Sequence, residues 1–485
     1  MSGWKSSELK FARREFLGGA AAVGVAGLVG SWPVETLAQA AGARPAGLPA
    51  RGNVVIRGAY VMTMDSGVGD IAHGDVHIDN GAIVAVGRNL PAAGATRIDG
   101  RGMIVLPGFV ETHWHMWNTL LRSMAGDKPD HGYFRTTAVL GQQYQASDMY
   151  HGTRLAAVEA LNGGITHVHS WCHNIRGPEY AREDIRALQE TGIRARFSYG
   201  ARQGLAGKEL PDLADMERLH NEWSKWSNDG LLSLGFAWRG QGGNSAPVPE
   251  EVWKKEFETG RKLGIPITVH ASGSRPTIGQ IDALAKAGCL SKDVQCIHAN
   301  FATPAEIEVL AKSGASVSSS PYTELRIGFG MLQTEKFLSA GVPLGLSIDT
   351  VELSGNADMF AIMKIIQNLA NGISEKEFTL LPRRVIELAT IEGARTMGID
   401  DKVGSLKPGK RADVIMVSTG GVNMGLFTDP AHMIVEAAQP ANVDTVIVDG
   451  RILKRHGKLT AVDPRAVVRE AQAALAGVVK RANWT

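Results

Sequence analysis

Cysteine is scarce: Cys172, Cys289 and Cys296 are the three in 485 residues, too few and odd in number for a disulfide framework. Charge of either sign is not in excess. The formal net charge is +2, and no basic stripe points to nucleic acid. No Gly-x-Gly-x-x-Gly follows a strand pattern, which removes the usual support for a dinucleotide fold. The apolar stretch Leu17 to Gly30 falls short of the roughly 20 residues that a membrane span needs. Low-complexity runs are missing after it, so the 57 glycines belong to loops and turns more than to linkers. What remains is a chain with 44% hydrophobic residues, able to bury a large core as several ordinary domains or one barrel with additions.

The first forty residues read as an address. Ala12-Arg-Arg-Glu-Phe-Leu17 is a twin-arginine pattern, an apolar region follows, and Ala38-Gln-Ala40 is a small-residue cleavage site. The expected location is the periplasm, with residues 1–40 removed and no stable membrane span left behind.

Short strands and turns fill Asn53 to Ile104 and return at Ala412 to Val417 and Asp444 to Gly450. The two ends are therefore expected to build one small β-sandwich, from residues 52–105 and 400–463. Between them, over 106–399, helix and strand patterns alternate. Strand candidates are Met103 to Leu106, Ile165 to His169, Ala195 to Tyr199, Leu231 to Ala237, Pro266 to His270, Val294 to His298, Ala315 to Ser319 and Pro343 to Ile348. Thr303-Pro-Ala-Glu306 opens one intervening helix with a capping box, and Gly314 stops it. Eight such units predict an α/β fold, a closed (β/α)8 TIM barrel. A terminal helix over 464–485, apolar at helical spacing, is expected to pack on the barrel.

The strand ends carry the chemistry. His113 and His115 sit two apart on an extended segment, so they share a face and can grip one metal ion with neutral nitrogens. The second strand ends in His169, the fifth in His270, the sixth in His298, and the eighth runs into Asp349. Active sites of such barrels gather at the carboxyl ends of the strands.

Pro107-Gly-Phe-Val-Glu-Thr-His-Trp-His115, Pro266-Ile-Thr-Val-His270, Cys296-Ile-His298, Leu346-Ser-Ile-Asp349 and Gly404-Ser-Leu-Lys-Pro-Gly-Lys-Arg-Ala-Asp-Val414 together resemble the amidohydrolase superfamily. The continuation Asn118-Thr-Leu-Leu-Arg-Ser123 is similar to the branch holding cytosine deaminase, S-adenosylhomocysteine-type deaminases and triazine hydrolases. The resemblance spans Asn53 to Leu459. It implies a metal-dependent hydrolase of a C–N bond, with His113, His115, His270 and Asp349 holding one divalent ion, zinc first and iron or manganese as alternatives. His298 and Asp349 are then the catalytic pair beside the activated water. Binuclear relatives carry a carboxylated lysine at the end of strand four, where Phe236-Ala-Trp-Arg239 stands here, so one metal is expected and not two.

Two departures stand out. Deaminases of this branch place a glutamate three residues after the strand-five histidine, and His270-Ala-Ser-Gly273 has none. Glu324 is the candidate replacement, as proton shuttle or substrate contact, against a structural salt bridge to Arg326 or Arg239. Thr166-His-Val-His-Ser-Trp-Cys-His-Asn174 is the second. A hydrogen-bonding network is expected of His167 and His169 rather than a second metal site. His169, Trp171 and His173 are candidate substrate contacts, with Trp117, Trp238 and Arg239 as a stacking wall for a planar heterocycle. The expected partners are a small-molecule substrate and other copies of the chain in a homo-oligomer. Loss of halide from a triazine-like ring and a non-catalytic periplasmic binding protein are the alternative readings.

Overall fold

The computed structural model describes residues 47–243 and 246–484. The twin-arginine pattern and its cleavage site lie outside them. Among the described residues, eight parallel strands form one sheet: β1 (Phe109–Val110), β2 (Ile165–Cys172), β3 (Arg194–Gly200), β4 (Leu232–Trp238), β5 (Ile267–Ala271), β6 (Val294–His298), β7 (Ser316–Ser319) and β8 (Leu344–Leu346). They pair in sequence order, and the extension of β1 closes the ring. Glu111 and Trp114 donate their N–H groups to His167 and His169 of β2 at 3.0 Å, while Thr112 donates to Leu346 of β8 at 3.1 Å. Past β8, Asp349 N–H meets the His113 carbonyl at 2.8 Å and His115 N–H the Asp349 carbonyl at 2.7 Å. The predicted barrel is therefore present, with the histidine-bearing segment threaded between its first and last neighbours.

One strand expectation is corrected. The strand Met103–Pro107 does not enter the barrel; it pairs antiparallel with Val414–Ser418 in a second, nine-stranded sheet. That sheet joins both chain ends, the strands Val54–Val61, Ile71–Asp79 and Ala82–Gly87 on one side and Val443–Val448, Arg451–Arg455 and Lys458–Leu459 on the other. Its strands share an apolar core of Val54, Ile56, Val76, Ile78, Val414 and Met416. The crossing from one sheet to the other is made at Gly108, where a Cβ would fall 2.1 Å from the Thr166 side chain. No other residue fits so close an approach.

Local signals hold where the chemistry is local. Thr303 caps the helix Pro304–Ser313, its Oγ1 accepting the Glu306 N–H at 3.2 Å while Glu306 Oε2 accepts the Thr303 N–H at 2.8 Å. Gly314, at φ 72°, ends that helix in the left-handed conformation. The terminal helix Pro464–Ala482 packs against Ala146–Asn162, and Arg481 pairs there with Asp148. Among the described residues no helix is long and apolar enough to cross a membrane. All three cysteines are free and buried.

The barrel interior is unusually polar below its mouth. Hydroxyls of Thr112, Ser318, Ser347 and Ser320 bond in a chain with steps of 2.7, 2.9 and 2.6 Å. Each buried hydroxyl thereby finds a partner, as burial requires.

Candidate active site

Three strand ends deliver His113, His115, His270 and Asp349 to one point, with one donor atom from each lying within 4.8 Å of all the others. His113 Nε2 and His115 Nε2 face the same carboxylate oxygen, Asp349 Oδ1, at 3.1 and 3.2 Å. Two ligands at zinc distances of 2.0–2.1 Å on a tetrahedron are about 3.4 Å apart, so the spacing suits a single small cation. The donor chemistry fits as well. Burial pushes the His113 imidazole down to about 3, against the pull of Asp349, and burial holds His270 well below its ordinary range. Both rings thus keep a lone pair free to ligate. Burial alone would raise the Asp349 carboxyl, but the hydrogen bonds facing it from His113 and His115 hold it well below the usual carboxylate range.

Backbone strain aims two of these groups. Asp349 has φ 62° and His298 φ 70°, left-handed values that residues other than glycine adopt at a cost. Both turn their side chains in at the strand end instead of continuing the strand's alternation. His298 Nε2 then lies 3.9 Å from Asp349 Oδ2, on the far side of the carboxylate from His113.

Glu324 does not line the cavity, which corrects its expected role as a direct proton shuttle or substrate contact. It stands behind His298, Oε1 being 3.1 Å from His298 Nδ1, and it is fixed by the Ser320 N–H at 2.8 Å and the Ser319 hydroxyl at 3.1 Å. Neither Arg326 nor Arg239 pairs with it. Burial would lower the His298 imidazole, yet the hydrogen bond it donates to Glu324, with the charge of Asp349, prevails and raises it.

The cluster opens into a cavity of about 570 Å³. Trp171, His173, Tyr133, Phe134 and Phe329 form much of its wall. His173 packs on His115 with ring centroids 4.2 Å apart, and Trp171 on His270 at 4.6 Å.

Known proteins resemble this chain in sequence and in fold. Residues 104–453 match the amidohydrolase family. The chain belongs to that family. A 5'-deoxyadenosine deaminase of Methanosarcina mazei is 30% identical over 447 residues, 89% of this chain and 99% of that one. A 5-methylthioadenosine/S-adenosylhomocysteine deaminase of Pelotomaculum thermopropionicum is 29% identical, over 88% of this chain and 99% of its own. Among solved structures, an adenosine deaminase from Xanthomonas campestris with bound zinc superposes with a TM-score of 0.78 at 22% identity, covering 89% of this chain and all of that one. The zinc complex of an atrazine chlorohydrolase from Arthrobacter aurescens gives 0.73 at 21% identity, covering 87% and 100%. This amidohydrolase is accordingly a hydrolase of carbon–nitrogen bonds.

Three expected substrate contacts of the amidohydrolase lie behind the wall. Trp117 is wholly buried and donates its Nε1–H to His173 Nδ1 at 3.2 Å, so it touches the cavity only through His173. Trp238 faces outward, donating to the Trp253 carbonyl at 3.2 Å and packing on Phe257. His169 sits inside the barrel, Nδ1 against the Thr112 carbonyl and Nε2 against the Ser198 hydroxyl, both at 2.8 Å. That is the network expected of it, and it leaves no ring edge for substrate. Arg239 does line the cavity, but Glu256 and the carbonyls of Ala206 and Glu209 occupy its guanidinium.

Sequence reasoning passed over Glu111, although it lies in the first motif. Its buried carboxyl group accepts the N–H groups of His113 at 2.7 Å, His169 at 3.1 Å and Ile348 at 3.2 Å, bonds that pull against the burial pushing it up to about 8. One side chain thus ties the β1 extension to the ends of β2 and β8. Two residues before His113 on a strand means the same face, and that was the available signal. Tyr133 and Phe134 carried none, because they come from a helix after the strand with no periodic tie to the site.

Proposed function

We propose that the protein is an exported hydrolase that uses one zinc ion to remove an amino group from an uncharged, planar heterocycle. The observation that carries this reading is the convergence of His113, His115, His270 and Asp349 at the base of an aromatic cavity. An ion bound there supplies Lewis acidity, enough to bring the pKa of water near 7. Asp349, with one oxygen toward the imidazoles and the other toward His298, is placed to take the proton that water gives up. His298, backed by Glu324, is placed beside the oxygen that water adds to the attacked ring carbon, and the proton taken up by Asp349 would pass to the departing amine, which leaves as ammonia. Trp171 and the ring of His173 offer flat surface to a flat substrate.

Charge on the wall supports an uncharged substrate. Among the described lining residues, Arg239 is the one guanidinium, and buried Glu256 already neutralises it. The relatives' names support the heterocycle, since they are adenosine-type deaminases and an atrazine chlorohydrolase.

Halide displacement is the second reading, and one observation favours it. Gly273 holds the position of the missing glutamate, and Glu324 is sequestered, so no carboxylate other than Asp349 lines the cavity among the described residues. A ring already activated by chloride has less need of protonation than one that must release ammonia.

Metal analysis and a screen of aminated and chlorinated heterocycles, following ammonia and chloride separately, test both. The expected result is one metal per chain, ammonia release, loss of turnover on chelation and its return with zinc. Asp349→Asn should give no product. A variant that retains ligand and differs in nothing from wild type would mean a binding protein instead. For export, replacing Arg13 and Arg14 by lysine should leave the uncleaved precursor in the cytoplasm, and unchanged periplasmic recovery would reject the twin-arginine route.

A further inference from the structure

A second charged site lies at the opposite end of the barrel. Arg196 of β3 is 5% exposed, and its side chain runs past Gly235 of β4, where a Cβ would come within 2.9 Å of the Arg196 Cδ. Its guanidinium reaches the Met397 carbonyl, and its Nε has no partner. Among the described residues no carboxylate lies within ion-pair distance of it. Burial brings the guanidinium down to about 10, and no acid opposes that shift. A buried cation without a counter-charge is costly, and proteins ordinarily pair or ligate such a group.

The surroundings have room and donors. A cavity of about 630 Å³ opens at this end, lined by Arg196, Gln295 and Ser316 among others. Gln295 Oε1 also lacks a partner, and its Nε2 meets only the Met397 sulfur, at 4.0 Å. The Ser316 hydroxyl has a long contact of 3.5 Å to the Thr396 carbonyl. At the rim the acids are already engaged. Glu392 is held by Arg384 at 3.1 Å and by Arg395 at 2.5 Å, Asp400 lies 3.7 Å from Arg395, and Asp293 pairs with Arg261.

We propose that this floor of the barrel binds one small monoanion of the halide class, held by Arg196 with Ser316 and a turned Gln295 amide as further donors. A single buried positive charge among neutral donors balances one negative charge. A phosphate dianion would overcompensate it. The site is on the face of the barrel that serves stability and not turnover, so its ligand would act as a fastening.

The test uses the whole metal-loaded protein. Thermal midpoints are measured in sodium chloride, bromide and gluconate at matched ionic strength, for wild type and Arg196→Met. A bound anion stabilises in proportion to its occupancy. Wild type should melt a few degrees higher in chloride or bromide than the variant's salt response accounts for, along a one-site saturation curve. Crystals grown in bromide should show anomalous scattering beside Arg196. Equal salt responses in the two proteins, or no bromide at Arg196, would overturn the proposal. Should Arg196→Met fail to fold, Ser316→Ala replaces it, and its half-saturating chloride concentration should rise several-fold; an unchanged value counts against the site.

Discussion

Glu324 Oε1 lies 3.1 Å from His298 Nδ1, on the side of the imidazole turned away from the cavity. The carboxylate thus reaches the cavity only through a histidine. Glu324→Gln keeps an acceptor for the ring and removes the charge. We expect kcat to fall by about 10- to 100-fold, the range found when a partner behind an active-site histidine is lost. The pH profile separates this from simple loosening. Burial lowers the His298 imidazole while Glu324 and Asp349 together raise it, so removing the Glu324 charge lowers its pKa. A limb of kcat/KM belonging to His298 should therefore move to lower pH in the variant, and a limb that stays in place would show that the pair is not coupled.

Trp117 and Trp238 give a matched pair of variants. Both are fully buried, but the Trp117 indole holds His173 by a bond of 3.2 Å whereas Trp238 points into the helix layer. Trp117→Phe also gives up a buried hydrogen bond, but it frees the His173 ring and should lower kcat/KM as well as the melting midpoint. Trp238→Phe gives up a buried hydrogen bond worth about 1 kcal/mol and should lower the melting midpoint while kcat/KM stays within a factor of about two. Steady-state kinetics and melting curves on both proteins check it. Equal kinetic losses would restore Trp238 to the substrate wall.

Much of this was legible because it is local or periodic. The capping box at Thr303 works through bonds within one turn, and the strand-end histidines follow from where strands stop. The misplacement of Met103–Pro107 has a different origin. Its own sheet buries that run on both faces, as a barrel would bury a strand, so an apolar stretch before Pro-Gly reads the same in either, and only the close approach of Gly108 to Thr166 reveals the crossing. Trp238 shows the limit of strand parity. Ala237 faces Trp171 and Ile297 inside, which sends Trp238 outward, but one inward residue per strand must be known before alternation assigns the rest. Glu324 needed the fold itself, since nothing in Ser320-Pro-Tyr-Thr-Glu324 says which side of His298 the helix will occupy.

Glu111 should prove a positioning residue for the metal ligands. Its two oxygens accept three backbone N–H groups, from His113, His169 and Ile348, where β1, β2 and β8 converge. Glutamine at this position presents an amide N–H to at least one of those donors, and the repulsion would shift His113. Zinc affinity, measured by competition with a chromophoric chelator, should weaken by about 10- to 100-fold. Folding should survive, because Glu111→Gln is nearly isosteric. Wild-type affinity in a folded variant would limit Glu111 to closing the barrel.

Glu352 carries a pH dependence of the opposite kind to a salt-bridged acid. It is buried, accepts one hydrogen bond from the Thr137 hydroxyl at 2.8 Å, and leaves Oε1 without a partner. Burial pushes its carboxyl up to about 8, with the Thr137 bond pulling back, from 4.5 in the unfolded chain. Between those two values the native state keeps a proton that the unfolded state has lost. Stability from this group is then full at acid pH and declines as pH rises from about 4.5 to about 8, at roughly 1.4 kcal/mol per unit. Glu352→Gln keeps the neutral form at every pH. Its melting midpoint should match wild type near pH 5 and exceed it increasingly up to pH 8, after which the gap levels off. Parallel midpoints across that range would mean that Glu352 is ionised in the native protein and has found a cation or water to hold it.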